Sequence, residues 1–265
     1  MSRPTSLVLC FALLLAALPA VRPQPALAAE RFGAVLLHDK NGMPEKGGLV
    51  ETERLLRNVG VLIDAPELPW SRKRGFDATF QQALVEIGMA VQELRLNGAT
   101  RIALVGHGLG ANAALAYAAL RGGVDALVCL APSHDPERHR EVFLPDVRKA
   151  RNMLSAGSGD VRSQFMDVLQ DKNYDLSTTA EVYLSYNDPD GEAVMPRSAA
   201  ALKTPVPILW VSGLKDPLVH LGRSYAFSKA PNHPKSRYEE VVADHAHVPS
   251  EAAPLVAQWV RSLAQ

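Results

Sequence analysis

Apolar residues along this chain fall into two alternating kinds of segment. Short β-rich runs, most of them largely apolar, predict β-strands, and they cover residues 32–37, 60–64, 101–106, 127–130, 208–213 and 237–242. Longer segments with apolar residues at helical spacing predict helices at 49–58, 78–97, 111–120 and 250–263. Strands that alternate with helices predict a parallel central sheet covered by helices on both faces. The predicted fold class is therefore α/β.

Residues 135–178 are the exception to this alternation. The segment is rich in charged residues, has a helical pattern and carries no signal for a strand. We predict a helical insertion into the α/β domain here.

The first 28 residues have the pattern of a secretory signal peptide. Arg3 precedes an apolar run over residues 7–21, and a Pro-rich stretch then ends in Ala26-Leu27-Ala28-Ala29. The run is shorter than the ~20 residues that span a bilayer, so cleavage after Ala28 is favoured over an uncleaved anchor. Cleavage after Ala29 is the neighbouring choice. The protein is predicted to be exported, either to a periplasm or out of the cell.

Composition limits the possible functions of the rest of the chain. The segment 29–265, roughly 235 residues, fits a single α/β domain. The 28 basic and 28 acidic residues balance, which argues against nucleic acid as a partner. Cys129 is the one cysteine after the signal, so the mature chain has no internal disulfide. No cofactor is predicted, and no membrane span is expected after cleavage.

A glycine-rich turn stands where ligands of α/β sheets bind, beyond the carboxyl ends of the strands. Gly106-His107-Gly108-Leu109-Gly110 joins a predicted strand to a predicted helix. It matches the nucleophile elbow Gly-x-Ser-x-Gly, in which small flanking residues let the helix pass close to the strand. Gly108 stands at the serine position. The turn is therefore retained while the attacking hydroxyl is absent.

This arrangement resembles the α/β-hydrolase superfamily, in particular its serine esterases, lipases and dienelactone hydrolases, over nearly the whole mature chain. Members place a catalytic acid after a late strand and a histidine after the last one, where this chain has Asp216 and His245. The resemblance implies that Asp216 orients His245 and that His245 faces Gly108, with His247 as the second choice. It also implies that the insertion at 135–178 is a lid over the site.

The same resemblance implies an oxyanion hole and a substrate site. The hole would use the backbone amides of Leu109 and of the loop at Asp39, which begins His38-Asp39 where members have His-Gly. His38, His107 and Trp70 are the expected substrate-binding residues. Trp70 has the alternative role of anchoring a long loop, and His107 that of a purely structural residue.

Asp39 is a second departure from the superfamily pattern. A carboxylate pointing inward, about 5 Å from a developing oxyanion, would cost about 3 kcal/mol at an effective dielectric of about 20. An energy of that size would lower the reaction rate roughly a hundredfold. A carboxylate pointing to solvent would do no harm, and the sequence leaves both orientations open.

Single motifs are also compatible with other kinds of site. The glycine-rich turn resembles a phosphate-binding loop, but it is one residue short of the dinucleotide fingerprint and no acid ends the next strand. Asp244, His245 and His247 offer metal ligands, but two histidines two residues apart on a loop are weak evidence. We therefore predict neither a nucleotide nor a metal.

Two functions remain open from the sequence. The first, which is favoured, is an exported binding or scaffolding protein for a small molecule or a protein partner, because losing the serine closes the covalent route. The second is a hydrolase of a small ester or lactone in which Asp216 and His245 activate a water. Ser133 and Ser212 are the candidates for a displaced nucleophile, and neither has elbow geometry.

Overall fold

A computed structural model describes residues 30–263. The strands are β1 (Phe32–Leu37), β2 (Leu62–Asp64), β3 (Arg101–His107), β4 (Ala126–Leu130), β5 (Arg162–Leu169), β6 (Lys172–Thr179), β7 (Ile208–Gly213) and β8 (Arg237–Val241). The helices are α1 (Leu49–Asn58), α2 (Phe80–Leu96), α3 (Leu109–Leu120), α4 (Arg140–Ser155), α5 (Ala180–Asn187), α6 (Met195–Ala200), α7 (Val248–Glu251) and α8 (Ala253–Leu263). Two 3₁₀ turns, Val219–Leu221 and Phe227–Lys229, lie between β7 and β8.

The central sheet has six strands in the order β2-β1-β3-β4-β7-β8. Every neighbouring pair in it is parallel. One apolar core packs α2 and α3 on one face, and a second core packs α1 and α8 on the other. The predicted fold class, a parallel α/β sheet with helices on both faces, is confirmed.

The register of β1 and β3 decides which residues meet beyond the sheet. Leu37, the last residue of β1, pairs with Gly106 in β3. Because the two strands are parallel, the residues that follow them emerge at the same edge. Asp39 and Gly108 each lie two residues beyond this pair. The fold therefore brings them level on neighbouring strands.

The helices beside the sheet begin where local chemistry allows. Thr79 caps α2 through a capping box, in which its hydroxyl accepts from the Gln82 N–H at 3.2 Å and its own N–H donates to Gln82 Oε1 at 2.8 Å. The alanine-rich α3 begins at Leu109, two residues before the predicted start, because Gly108 is its N-cap. The predicted final helix is divided into α7 and α8, with Pro254 in the first turn of α8, where a missing N–H is tolerated.

The prediction of an entirely helical insertion at 135–178 is wrong in its second half. Helix α4 is followed by an antiparallel hairpin of β5 and β6. Its tight turn is formed by Gln170 and Asp171, both at positive φ, as two-residue hairpin loops require. The alternation of β5 was hidden because one of its inward positions is a charged residue, Asp167, which is fully buried.

No helix within residues 30–263 is long and apolar enough to cross a membrane. The predicted signal peptide, residues 1–28, lies outside the described residues.

Candidate active site

The glycine-rich turn has the close backbone approach of a nucleophile elbow. A Cβ on Gly106 would lie 2.3 Å from the carbonyl oxygen of Gly110, and a Cβ on Gly110 would lie 2.1 Å from that of Leu37. Both distances are far below any van der Waals contact, so the flanking positions admit only glycine. Gly108, between them, has φ 55° and ψ −120°, which a residue with a side chain adopts only under strain.

The Asp39 carboxylate fills the space that a side chain on Gly108 would need. A Cβ built on Gly108 would lie 1.8 Å from Asp39 Oδ1 and 2.2 Å from Asp39 Cγ. Asp39 therefore points inward, which decides the orientation that the sequence left open. A side chain at residue 108 and this carboxylate, from the loop after the neighbouring strand, therefore exclude each other.

Each oxygen of this carboxylate meets a group that the superfamily pattern assigns to catalysis. Oδ1 accepts a hydrogen bond of 2.8 Å from the backbone N–H of Leu109, the predicted oxyanion donor. Oδ2 lies 3.0 Å from His245 Nε2. The N-terminus of α3 thus holds an anion supplied by the protein itself.

His245 lies between two carboxylates. Its Nδ1 is 2.8 Å from Asp216 Oδ2, while its Nε2 contacts Asp39. Because carboxylates only accept hydrogen bonds, both ring nitrogens must carry a proton. Burial opposes the charge, but the hydrogen bonds to Asp216 and Asp39 outweigh burial and raise the pKa of His245 to about 10. The resting histidine is an imidazolium.

The charge of Asp39 is stabilised by the same contact. Burial alone would raise its pKa, but the hydrogen bond from His245 and the N–H of Leu109 hold that pKa well below its usual range. The Asp39 side chain keeps 12% of its surface exposed, while those of His245 and Asp216 keep 3% and 4%. Asp39 is therefore the member of this trio that an incoming molecule reaches first.

The structure selects His245, and not His247, as the histidine that faces the elbow. The side chain of His247 is 69% exposed, and its Nδ1 lies 2.6 Å from Asp244 Oδ1. The three residues Asp244, His245 and His247 therefore do not converge on one point.

The three expected substrate-binding residues form hydrogen bonds within the site. His38 bonds the carbonyl of Asp39 through Nδ1 at 2.8 Å and accepts from the Leu68 N–H through Nε2 at 3.1 Å. Trp70 is fully buried and donates to the carbonyl of His38 at 2.9 Å, so it anchors the loop. His107 Nε2 lies 3.0 Å from the carbonyl of His245. Burial lowers the pKa of His107 and keeps it neutral at physiological pH.

The hairpin is tied to the loop that carries Asp39. The buried Lys40 Nζ lies 2.9 Å and 3.0 Å from the two oxygens of Asp167 and donates to the carbonyl of Val168 at 2.9 Å. The hydroxyl of Tyr174 also donates to Asp167. A small cavity of about 20 Å³ beside Lys40 is bordered by the hairpin and by Ser133. The insertion thus lies next to the loop that carries Asp39.

Comparison with known families agrees with this geometry. The family model described as Alpha/beta hydrolase family matches residues 35–259. The chain belongs to this family. A comparison with curated proteins finds no match.

Solved structures of several hydrolases share the fold of this chain. Est1E from Butyrivibrio proteoclasticus, solved with ferulic acid bound, is 19% identical and has a TM-score of 0.60; the match covers 89% of this chain and 91% of that one. The monoacylglycerol lipase of Paleococcus ferrophilus is 18% identical, with a TM-score of 0.64 and coverage of 87% and 94%. Identities this low establish the fold alone.

Other ligands are less well matched to the site of this alpha/beta hydrolase. One oxygen of Asp39 and one ring nitrogen each of His107 and His245 lie within 4.8 Å of one another, the only such metal-ligand group among residues 30–263. A metal there would have to displace the His245 proton, and His107 already uses Nε2 on a carbonyl. A phosphate at the helix N-terminus would compete with the carboxylate already bound by Leu109.

Two features of this alpha/beta hydrolase were missed in the sequence. Gly108 and Asp39 were interpreted as separate departures from the family pattern, whereas they are two halves of one replacement. The signal was present, because the first and third strands of the family are neighbours and both departures follow them at equal distances. The pairing of Lys40 with Asp167, 127 residues apart, had no sequence signal.

Proposed function

We propose that this protein is an exported hydrolase of a small molecule in which the Asp39 carboxylate acts as the nucleophile in place of the absent serine. The single observation that carries the proposal is the position of this carboxylate. It overlaps the space of a side chain on Gly108 and bonds both His245 and the N–H of Leu109. Carboxylates form covalent intermediates in several enzyme classes.

The electrostatics of the trio suit a two-step reaction. In the resting state His245 is an imidazolium because Asp39 and Asp216 are both charged. When Asp39 becomes an ester it loses its negative charge, and the support for the His245 proton falls. His245 then acts as a base toward water, still oriented by Asp216. The Leu109 N–H, already on Oδ1, stabilises the oxyanion that forms when water attacks the ester.

A binding protein without turnover is the second candidate, and it is the one favoured from the sequence. The observation that supports it is the same imidazolium, which in the resting state has no free lone pair to act as a base. In this view Asp39 blocks the oxyanion hole, and the protein binds a small molecule or a protein partner without turnover.

Direct activation of water by Asp216 and His245 is less well supported. His245 Nε2, the atom that would take the proton, is 3.0 Å from Asp39 and carries a proton already. Water activation would first require Asp39 to leave its place.

The experiment is a turnover panel with the segment 29–265. The panel contains short p-nitrophenyl esters, lactones, 1,2-epoxyhexane and 1-bromobutane, and the enzymes are the wild type, Asp39→Asn and His245→Ala. His247→Ala is the matched control, because this exposed histidine lies on the same loop. We expect turnover of at least one class, a loss of about 1000-fold or more in Asp39→Asn and His245→Ala, and little change in the control.

The three functions predict different outcomes. A wild type that turns over no compound of the panel but binds small molecules supports the second candidate function, a binding protein. Turnover that survives Asp39→Asn and is abolished by His245→Ala supports direct water activation. Either result overturns the assignment of Asp39 as nucleophile.

A further inference from the structure

We infer that the substrate is a neutral epoxide, attacked by Asp39 at a saturated carbon, and not a carboxylic ester attacked at its carbonyl. This inference rests on the proposed function and adds the substrate class to it. It follows from what the oxyanion donor, the imidazolium and the other N–H donors of the site are already bonded to.

The oxyanion donor is occupied in a way that disfavours acyl substrates. Attack on an ester carbonyl creates an oxyanion on the substrate, which needs the N–H of Leu109. That N–H already bonds Asp39 Oδ1 at 2.8 Å. The product of acyl transfer to a carboxylate would also be an anhydride. Attack on a saturated carbon places no charge on a substrate carbonyl and gives an ordinary ester of Asp39.

In the second step the same hydrogen bond becomes useful. The carbonyl oxygen of the Asp39 ester is then Oδ1, and it lies on the N–H of Leu109. Water that attacks Cγ pushes the electron pair onto Oδ1, where the donor and the N-terminus of α3 stabilise it. The donor therefore serves hydrolysis of an ester on Asp39 itself.

The identity of the leaving atom follows from the donors that remain. The indole N–H of Trp70 already donates to the carbonyl of His38, and Lys40 Nζ already donates to Asp167 and to the carbonyl of Val168. The His245 imidazolium, 3.0 Å from the attacking carboxylate, is the acid within reach. A leaving oxygen needs such a proton, whereas a leaving halide needs a donor that stays bound. The site therefore suits a leaving oxygen better than a leaving halide.

The net charge of the site favours a neutral substrate. Two carboxylates, Asp39 and Asp216, surround one imidazolium, so the trio is negative as a whole. An anionic electrophile would be repelled at short range. An epoxide on an uncharged carbon chain carries no such cost.

The cycle balances in atoms and charge. Asp39 Oδ2 bonds to one epoxide carbon, the C–O bond of the ring breaks, and the alkoxide takes the proton of His245 Nε2. Neutral His245 then removes a proton from water, and the hydroxide adds to Cγ of the ester. The tetrahedral species expels the alcohol oxygen, which takes a proton back through His245, while Asp39 returns as the carboxylate. The overall reaction is epoxide plus water to a vicinal diol.

The test is a single turnover of 1,2-epoxyhexane in ¹⁸O-water with enzyme in excess. Trypsin, used afterwards in ordinary water, releases residues 32–40, FGAVLLHDK, in which Asp39 is the only side-chain carboxylate. We expect ¹⁸O in this peptide and none in the first diol formed. The peptide covering the exposed Asp244 is the internal control and should gain no label.

Each alternative outcome is informative. Turnover of p-nitrophenyl butyrate that needs Asp39, with no reaction of the epoxide, overturns the epoxide assignment and leaves the proposed function standing. Epoxide turnover with ¹⁸O in the first diol and none in the peptide means that water attacks directly, which overturns both. No turnover of either compound and no label in the peptide also overturns both.

Discussion

A side chain on Gly108 and the carboxylate of Asp39 cannot occupy this protein together. The Cβ position of residue 108 and Asp39 Oδ1 are 1.8 Å apart. The absence of a side chain at residue 108 and the inward position of the Asp39 carboxylate are therefore structurally linked. Under the proposed function, the nucleophile lies on the loop after β1 and not on the elbow after β3.

Restoring serine at the elbow should fail unless Asp39 is also changed. Gly108→Ser must accept positive φ, at about 1–3 kcal/mol, and a clash, at about 1–3 kcal/mol more. We expect urea unfolding to show this loss, and the double variant Asp39→Gly with Gly108→Ser to recover at least about 1 kcal/mol of it. The double variant should also gain activity on p-nitrophenyl esters, which the single one lacks.

Gly60→Ser is the matched control for this experiment. Gly60 also has positive φ, at 85°, but a Cβ there meets nothing within 4 Å. The variant Gly60→Ser therefore measures the free-energy cost of backbone strain without a steric clash. If Gly108→Ser lowers the free energy of unfolding no more than Gly60→Ser does, Asp39 does not occupy the space of a side chain at residue 108. The same conclusion follows if Gly108→Ser gains esterase activity without a change at Asp39.

The imidazolium predicts a pH dependence of stability. The pKa of His245 is raised from about 6.5 in the unfolded chain to about 10 in the folded one. A raised pKa contributes stability that is complete below about pH 6.5 and is lost as the pH rises toward about 10. The difference in unfolding free energy between wild type and His245→Gln should therefore shrink steadily across this window, by up to roughly 5 kcal/mol.

His247→Gln serves as the control for this titration, because its side chain is largely exposed and lies in the same loop. The same measurement in Asp39→Asn should show a smaller pH dependence, since one of the two carboxylates that hold the proton is gone. A constant difference between wild type and His245→Gln from pH 6 to pH 10 would contradict the imidazolium.

The hairpin should depend on one buried ion pair. Lys40→Met leaves Asp167 buried with its main cationic partner removed, and we expect a loss of about 3–5 kcal/mol. Replacing both residues, as Lys40→Met with Asp167→Leu, should restore much of it. Arg140→Ala, which breaks the exposed pair with Asp190, should cost less than about 1 kcal/mol.

Hydrogen exchange locates the effect of this pair. Faster exchange in Lys40→Met should be concentrated in β5 and β6, because Asp167 and Val168 both bond Lys40. Uniformly faster exchange, or no change in the hairpin, would show that the pair does not hold the insertion on the site.

Export gives the prediction for the N-terminus. The full chain, expressed in a host with a secretion pathway, should be recovered outside the cytoplasm with Ala29 as its first residue, or Glu30 if the neighbouring site is used. Intact-mass measurement reads this directly. A membrane-bound product that retains Met1 would favour the uncleaved anchor.

The fold was predictable because its signals are local. Each strand of the central sheet except β8 is a short, largely apolar run with a turn after it, and α1 has the same bounds in sequence and structure, Leu49–Asn58. The order of Gly108, Asp216 and His245 along the chain also indicated the site. The hairpin was missed because Asp167, an inward position of β5, broke the apolar alternation.

The partner of Gly108 was not predictable from local pattern. Its identity depends on the register between β1 and β3, where Leu37 pairs with Gly106. It depends also on His38, whose two ring nitrogens fix the loop that aims Asp39 inward. The strand pairing and the bond between His38 and the Leu68 N–H join residues 30 or more positions apart, so the family's strand order indicates them but no local spacing does.

The most direct test of the central claim is to trap a covalent adduct on Asp39. A single turnover of 1,2-epoxyhexane by excess wild-type protein, stopped with acid before the second step is complete, should show the intermediate as a mass increase of about 100 Da. We predict that the increase maps to residues 32–40, and that it is absent in Asp39→Asn. An unmodified protein, or an adduct that persists with Asp39→Asn, would contradict the assignment of Asp39 as the nucleophile.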